Sequence, residues 1–332
     1  MTKPRRLILA TNLSAEPSEE DLAYVKQLGI ETVNAWIYGP DAEEKIRPDY
    51  YASRKELFEK AGLHLYGLGN GQVHNQDAIV LNLPDRDRKI ELYLKHLEYL
   101  GKAGIPYTTY AHMGNGIWST EPEFTRGRAK ARAFDLSKAT EGWWFDQKYS
   151  SPLSHGRIFS SEEIWENYTY FIRLAAPAAE SAGVNIGIHP DDPPVPELGG
   201  IPRCIFSSFE GYRRALEIAN SPRVGMCLCV GCWLEGGEGM GKDVYETIRY
   251  FGNQKKLFKV HFRNVEAPLP HFVETFPDSG YMNMYKVMQT LKEVNFDGVM
   301  IPDHVPQVIG SHRLAEAYTI GYMKALVDVL AD

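Results

Sequence analysis

Four residues that commonly bind metal ions follow or end short apolar runs in this 332-residue chain. They are His189 after VNIGI, Cys229 at the end of VGMCLC, His261 within LFKVHF and Asp303 after GVMIP. Two imidazoles, a thiolate and a carboxylate suit a borderline divalent ion such as Zn²⁺, Fe²⁺, Co²⁺ or Mn²⁺, whereas Mg²⁺ and Ca²⁺ prefer oxygen ligands. If the fold brings these positions together, they form a metal site.

The chain repeats one unit eight times, a short apolar run followed by a longer amphipathic segment. Several of the amphipathic segments begin after Ser or Asp and end at Gly, as capped helices do. The runs are apolar on both faces, which is typical of parallel strands covered by helices. We therefore predict an α/β fold, a (β/α)₈ TIM barrel, as a single domain over residues 1–332.

The potential ligands fall at the ends of strands five, six, seven and eight of this barrel. Active sites of such barrels lie at the C-terminal ends of the strands, where adjacent ends meet. A single strand cysteine is more often a small buried hydrophobe than a ligand. Residues of ligand type at four successive strand ends are harder to explain by packing. We predict that His189, Cys229, His261 and Asp303 bind one divalent ion, which polarises the substrate.

Two neighbouring cysteines are alternative ligands. Cys227 and Cys229 alternate along strand six and therefore face the same side, with Cys227 one layer deeper. Cys232 lies beyond the strand and could compete with Cys229. These three cysteines are too close together for an ordinary disulfide framework, so metal binding, catalysis or burial in a reducing compartment is the better interpretation.

His304 and Arg263 are the candidate catalytic residues beside the predicted metal. His304 directly follows Asp303, and its ordinary pKa suits general acid or base work near neutrality. The alternative role for His304 is a hydrogen bond to a metal ligand. Arg263 offers a bidentate fork to a substrate carboxylate, and its alternative role is a salt bridge across the barrel end. Asn264 suits contacts to substrate hydroxyls.

Amides and aromatic rings near the ends of the earlier strands indicate sugar recognition. The candidates for substrate contact in this group are Trp36, Asn70, Tyr110 and His112, together with Asn12 and Asn34. Convergent polar groups among aromatic side chains are typical of small-molecule pockets.

A long segment without clear periodicity follows strand four, at about residues 114–160. It is rich in Trp, Arg, Gly and Ser. Loops that follow barrel strands lie at the active-site end, so this insertion could cover the pocket as a lid. The alternative is a mobile surface insertion.

Composition limits the classes of partner. The net charge of -7 argues against a nucleic acid or an anionic membrane as partner. No apolar run approaches the roughly 20 residues that a membrane helix needs. The apolar stretch from Leu7 to Thr11 is too short for a signal peptide and is predicted as the first strand. We expect a cytoplasmic protein with a small-molecule sugar acid or sugar as substrate, which could assemble as a homo-oligomer.

The run GQVHNQDAIVLNLPDRDRKIELYLKHLEYLGKAGIPY resembles the third barrel unit of mannonate dehydratases. GIHPDDPP, MCLCVG, KVHFRNV and IPDH are similar as well, in matching order to the end of the eighth strand. The resemblance implies a xylose-isomerase-like barrel that dehydrates D-mannonate to 2-keto-3-deoxy-D-gluconate in hexuronate catabolism, using Mn²⁺ or Fe²⁺. By motif, the family's metal ligands match His189, Cys229, His261 and Asp303, and its proton-transferring histidine matches His304.

Two segments depart from the family's pattern. Members of the family carry a loop with glycine and a catalytic tyrosine after the eighth strand, where this chain has only VPQVIGSHR. The stretch YAHMGNGIWSTEPEFTRGR after strand four differs from the usual aromatic and Arg/Thr pattern. Both segments belong to the substrate rim. A related aldonate, a sugar isomerase or epimerase reaction, a lyase acting on another keto sugar or glycoside, and a metal-free descendant therefore remain alternatives.

Overall fold

Eight parallel strands form the centre of the molecule. The computed structural model describes residues 7–144, 147–150 and 153–331. In these residues each strand pairs with its neighbours along the chain, and the eighth pairs with the first to close the barrel. The barrel strands are β1 (Ile8–Ser14), β2 (Thr32–Ile37), β3 (His64–Asn70), β4 (Tyr107–Tyr110), β5 (Asn185–Ile188), β6 (Val224–Cys229), β7 (Leu257–Phe262) and β8 (Val299–Pro302).

Helices follow the strands and cover the outside of the barrel. They are α1 (Glu19–Gln27), α2 (Pro48–Lys60), α3 (Arg86–Lys102), α4 (Ser161–Ala182), α5 (Phe209–Ala219), α6 (Val244–Asn253), α7 (Met284–Glu293) and α8 (His312–Ala331). The predicted (β/α)₈ barrel is thereby confirmed. The first strand begins and ends slightly later than the predicted Leu7 to Thr11.

Short polar sequences explain where several of these helices begin. Ser18 accepts a hydrogen bond from the Asp21 N–H, and the Asp21 carboxylate accepts one from the Ser18 N–H. The same reciprocal arrangement starts α4 at Ser160 and α6 at Asp243. Each pair satisfies two backbone donors that the first helical turn leaves without partners. These caps fix the points at which the chain turns from the catalytic end of the barrel back along its outside.

The remaining elements are short and lie mostly in the loops. The short helices are Gly71–His74, Asp77–Val80, Arg126–Arg128, Leu136–Lys138, Val230–Gly236 and Gly237–Met240. The short strands are Glu123–Phe124, Lys130–Ala131, Ala133–Asp135, Glu141–Trp144, Gln147–Ser150, Glu197–Leu198, Ile201–Pro202, Asn264–Val265 and His271–Thr275. Across the described residues, no helix is both long and apolar enough to span a membrane.

The insertion after β4 is tied to the segment that follows β7. Its strand Ala133–Asp135 pairs with His271–Thr275, which in turn pairs with Asn264–Val265. The Gln307 N–H also donates to the Lys130 carbonyl at 2.8 Å, which joins the insertion to the loop after β8. Residues 145–146 and 151–152 of the predicted insertion lie outside the described residues. Residues 130–135 of the insertion are therefore anchored to the segments that follow β7 and β8.

Candidate functional site

A cavity of about 1500 Å³ opens at the C-terminal end of the barrel. His189, His261, Asp303 and His304 line it, and so does Arg132 from the insertion. This is the end at which barrel enzymes carry their active sites. The cavity is therefore the candidate active site.

Strand register brings the predicted ligands together. Cys229 on β6 pairs with His261 on β7, and His261 pairs with Ile301 on β8. The side-chain donors of Cys229, His261 and Asp303 lie within 4.8 Å of one another, as do those of His189, Cys229 and Cys232. His189 Nε2 is 3.2 Å from His261 Nδ1, and Cys229 Sγ is 3.7 Å from Asp303 Oδ2. One ion at this point could contact all four of the predicted side chains.

Hydrogen bonds fix which nitrogen each imidazole turns toward that point. His189 Nδ1 is 2.7 Å from the Pro190 carbonyl, which can only accept, so its proton lies on Nδ1. His261 Nε2 is 3.5 Å from Cys227 Sγ, so a proton on Nε2 can be donated to this sulfur. The lone pairs of His189 Nε2 and His261 Nδ1 then face each other. Two facing lone pairs suit a shared cation, and outer hydrogen bonds of this kind orient histidine ligands.

Electrostatics favour Cys229 over Cys232 as the thiolate. Burial raises the pKa of Cys229, but the hydrogen bond with Cys232 and the charge of Arg263 outweigh burial, so the pKa stands well below its usual value. Arg263 Nη2 donates to Cys229 Sγ at 3.2 Å, and the Cys232 N–H donates to it at 3.4 Å. Burial raises the pKa of Cys232 well above its usual value. Metals bind the thiolate form, so Cys229 is the better donor.

Arg263 lies at the centre of a buried ionic cluster. Its guanidinium contacts Asp192 Oδ2 at 3.3 Å and Glu235 Oε1 at 3.0 Å, and it also contacts Glu274. Arg132 contacts Asp192 Oδ1 at 2.5 Å and Glu274 Oε1 at 2.7 Å from the other side. Arg263 is 2% exposed and is not among the side chains that line the cavity. These ion pairs argue against the predicted contact of Arg263 with a substrate carboxylate and favour its alternative role as a salt bridge.

His304 projects from the end of β8 into the cavity. Its Nδ1 lies 2.9 Å from Glu274 Oε1 and also close to Arg263 Nη1. Because the Glu274 carboxylate can only accept, the bond to Glu274 needs a proton on Nδ1, whereas the contact with Arg263, which can only donate, would need Nδ1 unprotonated. Burial lowers the pKa of His304, but the charges of Asp303 and Glu274 outweigh burial and raise it above its usual value. A raised pKa favours the protonated form and suits a general acid.

Glu274 and its partners hold His304 in an unfavourable backbone conformation. The φ angle of His304 is 41°, a left-handed value that residues with a Cβ rarely adopt. Such conformations persist only where the surroundings impose them, and they occur preferentially at functional sites. The bond to Glu274, which is fully buried, supplies one of these constraints.

Two of the residues predicted to bind substrate point away from the cavity. Tyr110 packs on Phe171 of α4 at a ring distance of 4.5 Å and shares a 2.8 Å hydrogen bond with His112 Nδ1. His112 in turn meets Tyr168 edge-on at 5.4 Å. Strand alternation explains this, because Thr109 lines the cavity and its neighbour Tyr110 must face outward. The substrate-binding predictions for Tyr110 and His112 are wrong.

Asn70 and Asn264 have structural roles rather than substrate contacts. Asn70 Oδ1 accepts from the Gln72 N–H at 2.8 Å and caps the short helix Gly71–His74. Asn264 Nδ2 donates to the Pro277 carbonyl at 3.1 Å and the Met282 carbonyl at 3.0 Å. Both side chains are buried and hydrogen-bonded to backbone groups, so they do not have the substrate contacts predicted for them. Trp36, by contrast, lines the cavity, and its contact with substrate stays a prediction.

The sequence interpretation did not identify Glu274, Arg132 or Lys259. Lys259 is fully buried, two residues before His261 on β7, and donates to Thr109 Oγ1 at 3.2 Å. The period of two along β7 could have placed Lys259 on the inner face with His261. Glu274 and Arg132 carry no such signal, because they meet only through the pairing of two distant loops.

Comparisons with known proteins show which family most of the chain resembles. The family model described as D-mannonate dehydratase (UxuA) matches residues 15–330. Mannonate dehydratase 2 of Halalkalibacterium halodurans is 30% identical over 322 residues, which cover 89% of this chain and 89% of that protein.

Solved structures are similar in fold. The mannonate dehydratase of Streptococcus suis serotype 2 superposes with a TM-score of 0.83 at 24% identity, covering 98% of this chain and 95% of that chain. A xylose isomerase domain protein of Planctomyces limnophilus gives 0.64 at 12% identity, with 98% of each chain covered. These similarities confirm the xylose-isomerase-like barrel.

Proposed function

The chain belongs to the D-mannonate dehydratase family, and we propose that it removes water from D-mannonate to give 2-keto-3-deoxy-D-gluconate. One observation carries the proposal. The donors of Cys229, His261 and Asp303 lie within 4.8 Å of one another, and His189 Nε2 lies 3.2 Å from His261 Nδ1. His304 lines the same cavity as His189, His261 and Asp303, which supports proton exchange between His304 and a bound sugar acid.

The four donors are proposed to hold one divalent ion, Mn²⁺ or Fe²⁺ in preference to Co²⁺ or Zn²⁺. The fit is supported by the facing lone pairs of the two imidazoles and by the low pKa of Cys229. Asp303 adds a carboxylate whose pKa, raised by burial, is lowered overall by His304, His261 and Arg263. When bound, the ion supplies positive charge that stabilises the negative charge developing as the C2 proton leaves.

His304 is proposed as the general acid of the elimination. The reaction passes the C2 proton to a base and forms a C2–C3 double bond as the C3–O bond breaks, and the departing hydroxyl takes a proton to leave as water. The resulting enol takes up a proton at C3 to give the 2-keto-3-deoxy acid. His304 Nε2 lies 3.8 Å from Asp303 Oδ1 and therefore beside the proposed metal. Its pKa, raised above the usual value because Asp303 and Glu274 outweigh burial, favours the protonated imidazole. Protonation of the leaving group by His304 would make hydroxide loss feasible.

Arg263, Arg132 and Glu274 are proposed as positioning residues. Glu274 orients the imidazole of His304, and the two arginines hold Glu274 by ion pairs on either side. Arg263 also donates to Cys229 Sγ. One buried cluster thus positions both the proposed acid and one proposed metal ligand. Arg132 brings the insertion into this cluster, which supports the proposal that the insertion encloses the active site.

The test is turnover of D-mannonate by protein reconstituted separately with Mn²⁺, Fe²⁺, Co²⁺ and Zn²⁺. We expect a product lighter than the substrate by one water, with a 2-keto-3-deoxy group, in the presence of Mn²⁺ or Fe²⁺. An isomerase or epimerase would give a product of unchanged mass. Failure of all four metals to support water loss would exclude D-mannonate as substrate.

We also propose a cellular compartment, a metabolic pathway and an oligomeric state. Free cysteines at Cys204, Cys227, Cys229 and Cys232 support a reducing compartment and hence the cytoplasm. The proposed product supports a place in hexuronate catabolism. A homo-oligomer is proposed because symmetric self-assembly is common among enzymes, and sedimentation velocity would test it.

A further inference from the structure

We propose that the cavity accepts an aldonate that carries a second sugar ring, and that Trp36 and Tyr38 form the surface on which this ring lies. The inference rests on the proposed function, because the acid half of such a substrate would occupy the end of the cavity beside His189, His261 and Asp303. The second ring would lie toward β1 and β2.

The cavity outlined by the described residues is larger than a six-carbon acid requires. Its volume is about 1500 Å³, whereas pockets for small molecules commonly measure ~300–1000 Å³. It extends from the candidate ligands on β5–β8 across the barrel end to Asn12 and Ser14 on β1 and Trp36 on β2. An aldonate held near His304 would therefore leave the part beside β1 and β2 for a further group.

Trp36 and Tyr38 form an aromatic stack in that part of the cavity. They are two residues apart at the end of β2 and therefore project to the same side. Their ring planes differ by only 9°, with centroids 5.6 Å apart. Parallel rings at this distance are stacked with an offset, and Tyr38 is the more exposed of the two. We call this stacked pair the aromatic platform.

Two glycines on β3 and just beyond it make room for the platform. A Cβ added to Gly69 would stand 2.4 Å from Trp36 Cε3, and one added to Gly71 would stand 3.4 Å from Tyr38 Cδ1. The rings thus lean over the neighbouring strand rather than standing upright in the cavity. Backbone covers one face of Trp36 and the ring of Tyr38 stacks on Trp36, so the exposed ring of Tyr38 is the part of the platform that a ligand in the cavity would contact.

The groups around the platform suit a neutral sugar ring. The C–H groups on the face of a pyranose carry partial positive charge and pack well on the negative face of an aromatic ring. Asn12 and Gln76 line the same cavity and supply amide groups for sugar hydroxyls. An apolar face bordered by amides favours a sugar ring over a second anionic group.

The platform also lies close to the reacting end of the cavity. The edge of the His74 ring meets Trp36 at a centroid distance of 4.8 Å with an interplanar angle of 84°. His74 lines the cavity together with His189 and His261. A glycosyl group on the distal carbons of the aldonate could therefore reach the platform. The elimination itself would still break only C2–H and C3–O and release water, with the glycosidic bond intact.

The experiment compares D-mannonate with 4-O-β-D-mannopyranosyl-D-mannonate as substrates of the metal-loaded enzyme. We expect kcat/KM to be about tenfold higher for the disaccharide acid, as one aromatic contact of ~1.4 kcal/mol would provide. Tyr38→Ala should lower the ratio of the two kcat/KM values by a similar factor. The control is Tyr170→Ala, which should leave this ratio unchanged. Tyr170 on α4 is a tyrosine of similar exposure (43%, compared with 58% for Tyr38), but it lies outside this cavity.

Calorimetry separates this inference from the proposed function. The dissociation constants of both acids are measured without turnover, in the wild type and in Tyr38→Ala. Tighter binding of the disaccharide acid that is lost in Tyr38→Ala supports the platform, even if neither acid is dehydrated. Equal dissociation constants for the two acids in the wild type, or a ratio of the two constants that Tyr38→Ala leaves unchanged, would overturn the inference. Dehydration of D-mannonate would in that case still support the proposed function.

Discussion

The substitution Glu274→Gln tests how the buried cluster positions the proposed acid. Glutamine keeps the size of the side chain and removes its charge. The Glu274 carboxylate accepts from His304 Nδ1 at 2.9 Å and also pairs with Arg263 and Arg132. A hydrogen bond to a charged group contributes about 1.5–3 kcal/mol. If that energy orients His304 in the transition state, kcat should fall roughly 10- to 100-fold.

The pH dependence of kcat gives a second result in the same variant. The charge of Glu274 is one of the causes that raise the pKa of His304. Its removal should lower this pKa, so that the protonated acid is lost at a lower pH. The alkaline limb of the pH profile should therefore move to lower pH. A merely structural role for Glu274 would reduce the amount of folded enzyme without moving this limb.

Two controls make the result specific. Glu266 is an exposed glutamate near Glu274 whose Oε1 accepts from Thr125 Oγ1 at 2.7 Å. Glu266→Gln should leave kcat and its pH profile unchanged. Metal content should stay at the wild-type value in both variants, because neither residue belongs to the proposed ligand set. An unchanged kcat and an unmoved alkaline limb in Glu274→Gln would refute the positioning argument.

Two further predictions concern the stability of the same cluster. Gly231→Ala should lower the free energy of unfolding by about 1–3 kcal/mol in urea titrations, because the new Cβ would stand 1.9 Å from Arg263 Nε. The control is Gly239→Ala, which should change this free energy far less because no atom lies within 4 Å of the added Cβ. Arg132→Met should begin to unfold at a higher pH than the wild type in acid titrations followed by circular dichroism. Burial raises the pKa of Asp192, but Arg132 and Arg263 lower it well below its usual value. A carboxyl group whose pKa is lowered in the folded state stabilises the fold above ~3.9, its pKa in the unfolded chain, and this stabilisation is lost as the pH falls through the folded-state pKa. Without Arg132 the folded-state pKa of Asp192 should rise, so the stabilisation should be lost at a higher pH.

The fold and the predicted ligand positions could be read from the sequence because both depend on local patterns. Alternating strands and amphipathic helices define the barrel, and the strand ends then place Cys229 beside His261. The same period of two would have excluded Tyr110, had it been applied to β4 as it was to β6. Successive side chains near a strand end point to opposite faces, so only every second one can reach the cavity.

The buried ionic cluster could not be predicted, because its members meet through long-range contacts. Arg263 was expected at the pocket surface, yet Asp192, Glu235 and Glu274 enclose it from three separate loops. Arg132 joins from the insertion, whose pairing with His271–Thr275 has no local signal. A charged side chain is buried only where such partners surround it. One sequence does not reveal which distant loops will supply them.

Metal content measured together with product formation tests the central claim most directly. Elemental analysis of protein reconstituted with Mn²⁺ or Fe²⁺ should show metal in the wild type and in the control variant Cys204→Ala. Cys204 is a suitable control because its half-buried thiol donates a hydrogen bond to the Ser161 carbonyl and does not belong to the proposed ligand set. Cys229→Ala should lose most of the metal and, with it, the formation of 2-keto-3-deoxy-D-gluconate from D-mannonate. Unchanged metal content in Cys229→Ala, or equal turnover with and without metal, would contradict the account.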